Sequence, residues 1–284
     1  MPGRFQVPKN SSIGFLGPLH SFSHLLAAST FPESRLVDYQ QFGDAFEGLL
    51  TRKCDFALIP FYNTNGHEVI EAQKEIVRYR NKIFVNDLLG IYVAHSACGF
   101  GRKEDLKVVL SKKPVERQIS RWLKQEVPHA VFQESSSTSQ AILTVSQTRD
   151  PSVCAIGNSN AAAAYNVPIL EPDIENKPNK TLFFLLSNSC PILMDVENVI
   201  VSVTACRDSD ITVVVDIVEE HHCSMSAVSR FALDGEKHAY FEICSFHASL
   251  NLVSMVKQIT ANCSNAAVLG GYNRTSIRNL VNEL

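Results

Sequence analysis

Apolar and polar positions along this chain follow two rhythms, and the change falls in the segment SCPILMDVEN. Before it, short apolar runs trade places with amphipathic ones. SIGFLG, SRLVDYQ and CDFALIP read as strands, HLLAAST and FGDAFEGLLTRK as helices, the second with Phe42, Phe46, Leu49 and Leu50 along one side. A helix ends near Arg80. KIFVNDLLGIYVAHSA, EDLKVVLSK, HAVFQES and SVCAIGN then continue the strands, while PVERQISRWLKQ, opened by Pro114, SSTSQAILTVSQ and SNAAAAYN continue the helices. This alternation predicts an α/β layer with mainly parallel pairing. PILEPDIENKPNK carries three prolines and ends the run of helices, and TLFFLLS is the last strand before the linker.

Beyond the linker come NVIVSVTAC as a strand, DITVVVDIVEEHH as a helix, AVSRFAL and AYFEICSF as a hairpin across Asp234-Gly235, SLNLVSMVKQIT as a helix and NAAVLGGY as a strand. That β-α-β-β-α-β order is the split, ferredoxin-like plan and predicts a second domain. A chain of 284 residues, 45% hydrophobic, has the apolar content for two cores.

Net charge is −3 and the basic residues are scattered, which argues against nucleic acid as a partner. No apolar run approaches the roughly 20 residues of a membrane span, and MPGRFQVPKN has no leader-like apolar core, so a cytoplasmic protein is expected. Eight cysteines without a C-x-x-C pair fit buried free thiols in a reducing compartment. The nine histidines lack metal spacing, and no metal or other cofactor is expected.

Hydroxyls gather where helices begin: Ser21 and Ser23, Ser136 to Ser139, and Ser159. Helix N-termini expose unpaired N–H groups, so several converging on one cleft would suit a small dianion, although the same residues are ordinary N-caps. The chain has no G-x-S-x-G, P-loop or G-x-G-x-x-G motif, which removes the common hydrolase and nucleotide readings.

Taken in order, the junctions resemble those of the prephenate dehydratase family. FLGPLHSFSHLLA resembles its GPxG-T/S-FS opening, ALIPFYNTNGHEV its VVPIENSxxGxV segment and SSSTSQAI its STxxAA segment. CAIGNSNAAAAYNVPILEPDIENKPNKTLFFLL follows the stretch that ends in the family's TRF motif. The resemblance implies a two-lobed, periplasmic-binding-protein-like α/β catalytic domain over 11–190, with lobe 1 at about 11–85 and 168–190 and lobe 2 at about 86–167. An ACT regulatory domain of ferredoxin-like fold would follow over 197–276. It implies conversion of prephenate to phenylpyruvate with loss of CO2 and water, in phenylalanine biosynthesis, by positioning and one general acid without a metal. It also implies an aromatic amino acid as effector and a homodimer or homotetramer.

By the same resemblance Thr181 is the central catalytic residue. Ser21, Asn63, Thr64, Ser137, Thr138, Asn158 and Phe183 fall at substrate-binding positions, and Ser229 and Arg230 where a regulatory ligand is held. The chain departs from the pattern in places. Leu182 stands where the family has the arginine of TRF, which would remove a cation able to hold a carboxylate. The glutamate and serine of ENS become Tyr62 and Thr64, and His20 replaces a glycine, where it could supply a proton. These departures keep two alternatives open: a non-aromatising prephenate decarboxylase that retains the C4 hydroxyl, and a catalytically silent sensor of an aromatic-pathway metabolite.

Overall fold

The computed structural model describes residues 5–65, 67–191, 196–204, 207–245, 249–263 and 265–273; residues 274–276 of the expected second domain lie outside these. Parallel strands need crossover connections, and the chain opens with two of them. β1 (Ser12–Leu16), α1 (Phe22–Thr30), β2 (Arg35–Tyr39), α2 (Phe42–Leu50) and β3 (Phe56–Asn63) place β1 between β2 and β3. β4 (His67–Glu68) folds back on the end of β3, and α3 (Ile70–Arg78) leads to β5 (Phe84–Tyr92).

The chain then crosses to a second sheet built from β6 (Ser96–Gly99), β7 (Val108–Ser111), β8 (Val131–Glu134), β9 (Val153–Gly157) and β10 (Ile169–Glu171). Its helices are α4 (Lys113–Gln118), α5 (Ser120–Glu126), α6 (Thr138–Thr148) and α7 (Ser159–Ala164). β11 (Lys180–Ser187) returns to the first sheet and lies antiparallel between β3 and β5.

Two local expectations are corrected. β5 lies wholly in the first sheet and β10 in the second, so the crossings run at 93–95 and 172–179 rather than at 86 and 168. PVERQISRWLKQ forms two helices, broken at Ile119. Asn176 fills the break from the returning segment: its N–H donates to the Gln118 carbonyl (2.7 Å), its amide to the Arg117 carbonyl (2.8 Å), and its Oδ1 accepts from the Arg121 N–H (2.9 Å). Helix-terminal groups that lack intrahelical partners thus find them in one residue. A strand at Ile169–Glu171, in the proline-rich stretch, adds to the strands expected.

The last region runs β12 (Asn198–Thr204), α8 (Asp208–Glu220), β13 (Ser224–Leu233), β14 (Glu236–Cys244), α9 (Ser249–Asn262) and β15 (Ala266–Tyr272). The hairpin turns through Asp234 (φ 51°) and Gly235 (φ 82°), the doubly left-handed backbone that Asp-Gly supplies. Strand order β13-β14-β12-β15 is that of the split βαβ plan. These strands continue the first sheet, because β15 meets β5 in parallel at Gly270 and Val85. Gly270 has φ 126°, and a Cβ there would stand 2.1 Å from the Val85 carbonyl oxygen, so only glycine allows the approach.

The two faces of the first sheet bury different clusters. Ile13, Phe15, Leu26, Leu89, Ile91 and Phe183 pack on the α1 side. Phe61, Ile76, Phe184, Ile200, Tyr240 and Leu269 pack on the other, joining β3, α3 and β11 to the C-terminal strands. No helix among the described residues is long and apolar enough to cross a membrane.

Candidate active site

Thr181 lies at the start of β11, in register with Asn63 on β3 and Ile91 on β5. The Asn63 amide donates to Thr181 Oγ1 at 2.8 Å, while Asn63 Oδ1 accepts from the Asn65 N–H at 2.9 Å, which fixes the amide's orientation. Thr181 therefore accepts at its oxygen and keeps its own O–H to donate. An accepted hydrogen bond also eases departure of that proton.

Thr64 clamps the neighbouring turn to β11. Its N–H donates to the Lys180 carbonyl (2.9 Å), and its Oγ1 accepts from the Lys180 N–H (2.9 Å) and donates towards Asn179 Oδ1 (3.4 Å). Asn179, buried, continues the chain by donating to Gln118 Oε1 (3.3 Å), which also lies 3.0 Å from His95 Nε2. Gln118, Asn65 and Arg117 line a cavity of about 260 Å³, and Arg121, Lys177 and Asn179 line a larger one of about 650 Å³ beside the crossings.

The helix junctions carry the expected residues, each engaged in its own cap. Ser21 Oγ accepts from the His24 N–H (3.3 Å) and donates to the Leu16 carbonyl (3.3 Å). Ser137 accepts from the Gln140 N–H (3.0 Å), ahead of Thr138 at the first position of α6. The cap of α7 is Asn158; Ser159 is already helical. Asn158 Oδ1 accepts from the Ala161 N–H (2.7 Å) and its amide donates across the lobes to the His20 carbonyl (2.8 Å).

His20 is held at φ 63°, with its ring edge-on to Tyr165 (5.2 Å) and to His24 (5.5 Å). The His20 N–H donates to His24 Nδ1 (3.2 Å), so that nitrogen carries no proton. Burial, then the nearby His20, hold the His24 pKa below its usual 6.5.

Phe183 does not line the cleft: at 1% exposure it packs with Ile13, Phe15 and Leu89 under the strand. The expectation for Leu182 is corrected too. Successive strand residues face opposite ways, and Leu182 joins Tyr62 and Phe184 in the cluster away from Thr181. Leu182 and Tyr62 are register partners. The two positions where the family carries an arginine and a glutamate thus face each other, and here both are apolar-bodied. In this chain the two pack in one cluster, on the side of β11 away from Thr181.

The regulatory candidates part company. Ser229 is buried, its Oγ donating to Glu68 Oε2 (2.8 Å) and accepting from the Gln73 amide (3.3 Å). Arg230 is exposed and reaches Asp208 Oδ1 (3.1 Å). Sequence reasoning missed Gln118 and His95, because a glutamine on a short helix and a histidine after a strand have no pattern of their own. Asn179 had a signal, since it is the second asparagine of the ENKPN stretch.

Two lobes of α/β structure thus meet through amides, Asn158 to His20 and Asn179 to Gln118, with the two cavities beside the crossings. The model of the prephenate dehydratase family matches residues 13–191, and the chain belongs to that family. It is 27% identical over 175 residues to the prephenate dehydratase of Lactococcus lactis, 61% of this chain, and spans 62% of that enzyme's length. It is 23% identical over 278 residues to the bifunctional chorismate mutase/prephenate dehydratase of Escherichia coli, covering 93% of this chain and 71% of that one. The fold is similar to that of the Arthrobacter aurescens prephenate dehydratase solved with L-Phe, with a TM-score of 0.83 at 16% identity over 95% of this chain and 92% of that one.

Proposed function

We propose that the protein is a prephenate dehydratase of phenylalanine biosynthesis, converting prephenate to phenylpyruvate, CO2 and water. The observation that carries this is the 2.8 Å bond from Asn63 to Thr181, which leaves a hydroxyl donor at the start of β11, beside the turn whose Asn65 lines a cavity. The Thr181 O–H protonates the C4 hydroxyl of the substrate, the C4–O bond breaks and water leaves. The electrons of the breaking C1–carboxylate bond enter the ring as CO2 departs, and aromatisation drives the step. Thr181 recovers its proton from solvent, and His20, at the lobe junction, is the second candidate acid. The N-termini of α1 and α6 favour the carboxylates.

The non-aromatising decarboxylase draws its support from the altered TRF motif, but Leu182 faces away from Thr181, so that support weakens. We further propose a catalytic domain over 11–190 and a regulatory ACT domain over 197–276 that assembles the protein as a homo-oligomer and binds an aromatic amino acid. Arg230 is available to such an effector, whereas Ser229 would have to leave Glu68. Incubation with prephenate, followed by ultraviolet absorbance and mass, tests the reading. Phenylpyruvate is expected; a product that keeps its hydroxyl, or no turnover, overturns it.

A further inference from the structure

His95 is 2% exposed, ends the first crossing against Phe22 of α1, and has one ring nitrogen without a hydrogen-bond partner, Nδ1. Its Nε2 is 3.0 Å from Gln118 Oε1, and Gln118 Oε1 is 3.3 Å from the Asn179 amide. The polarity of this chain follows from the orphaned atom. A proton on Nδ1 would bury an unpaired N–H, whereas a bare lone pair there is the lesser loss. The proton therefore belongs on Nε2, and Gln118 must present its oxygen to it. With that oxygen taken twice, both N–H groups of Gln118 turn outward, and neither has a partner among the described residues. They face the cavity shared with Asn65, whose N–H holds the Asn63 amide against Thr181.

We infer that His95 is a positioning residue: by donating from Nε2 to Gln118 it orients the Gln118 amide as a donor towards the cleft beside Thr181. Removal of the His95 N–H leaves Gln118 Oε1 only the longer 3.3 Å bond from Asn179, so the amide is held less firmly, and an oxygen turned towards an anionic substrate repels it. Burial holds the imidazole neutral, with the pKa below 6.5, and a neutral ring is what a single-donor role requires. This inference rests on the dehydratase reading for its effect on turnover, but the proton's location stands apart from it.

Two measurements test it. The first is prephenate turnover by the wild-type protein, His95→Leu, His95→Gln, Gln118→Ala and the His95→Leu/Gln118→Ala double variant, each checked for folding by circular dichroism. His95→Leu is expected to lower kcat/KM about tenfold, as loss of a single orienting bond would. His95→Gln, which keeps a donor, is expected to restore most of it. In the Gln118→Ala background, His95→Leu should add no further loss, because a residue that acts through Gln118 has nothing left to act on. Losses that multiply in the double variant, or a His95→Gln variant as poor as His95→Leu, would overturn the inference.

The second measurement is ¹⁵N NMR of histidine-labelled wild-type protein, which needs no turnover. An Nε2–H tautomer for His95 is expected, and an Nδ1–H tautomer or an imidazolium at neutral pH overturns the inference. If the wild-type protein leaves prephenate unchanged, the dehydratase reading fails by itself, and the tautomer still decides whether His95 donates to Gln118.

Discussion

The two faces of β11 have been treated differently. On one face Thr181 meets Asn63, and the amides and hydroxyls around it form a connected chain through Thr64, Asn179, Gln118 and His95. On the other, Leu182 meets Tyr62 in an apolar cluster that runs into the C-terminal strands. A linear comparison of motifs scores TLF and YNT as two damaged sites. The strand register makes Leu182 and Tyr62 neighbours on the face away from Thr181. Period-two alternation means that adjacent letters of a motif answer to different environments, so the loss of the arginine says little about the fate of the threonine.

The largest expected effect separates the faces directly. Thr181→Ala should lower kcat on prephenate by about 10²- to 10⁴-fold, the range of a general acid, while Thr181→Ser keeps most of the rate. An unchanged rate for the alanine variant would remove the Thr181 face from the chemistry. Next in size is the cover of the opposite face. Gly270→Ala would thrust a methyl group onto the Val85 carbonyl and strain a φ of 126°, at a cost of about 3 kcal/mol. Thermal denaturation should show the loss, with the C-terminal strands parting from β5.

A smaller effect tests the pair Leu182 and Tyr62. Leu182→Arg places an unpaired charge among Tyr62, Phe184 and Phe231, and should destabilise the protein by about 1 to 3 kcal/mol without raising turnover. Adding Tyr62→Glu should recover part of that loss, because directly opposed charges on neighbouring strands couple by about 0.2 to 1 kcal/mol. Denaturant midpoints of the two single variants and the double variant give the coupling energy. A double variant no more stable than the sum of the singles would show that the two positions are not a pair.

Much of the fold was legible because it rests on local rules. Alternating apolar runs located most strands of both sheets, the short β4 and β10 excepted, and Asp234-Gly235 located the hairpin, since few other dipeptides accept two positive φ angles. Thr181 and Asn63 were legible through motif resemblance, and the structure adds that they touch. What stayed hidden depends on distant residues. The break at Ile119 exists because Asn176, far along the chain, satisfies the groups it exposes. Phe183 looked like a ligand contact because it belongs to a motif, yet its ring is buried below the strand. Gln118 and His95 matter through each other, and no spacing in the sequence announces that.

The smallest effect concerns acid, and it too falls on the Thr181 side of β11. His24 lies on α1 against Phe15, and His95 lies against Phe22 of the same helix. Both have pKa values held below 6.5, chiefly by burial; Gln118 and Glu175 oppose the shift at His95, and Asp38 opposes it at His24. As the pH falls through the usual histidine range the unfolded chain takes up these protons before the folded one does. Stability is therefore complete above about pH 6.5 and lost below it, by at most about 1.4 kcal/mol per pH unit for each proton. Melting temperatures between about pH 7.5 and pH 5 should fall with the pH, and the fall should be shallower in His95→Gln, which has no group to titrate there. An equal slope in both proteins would assign the acid sensitivity to some other group and would mean that His95 charges as readily folded as unfolded.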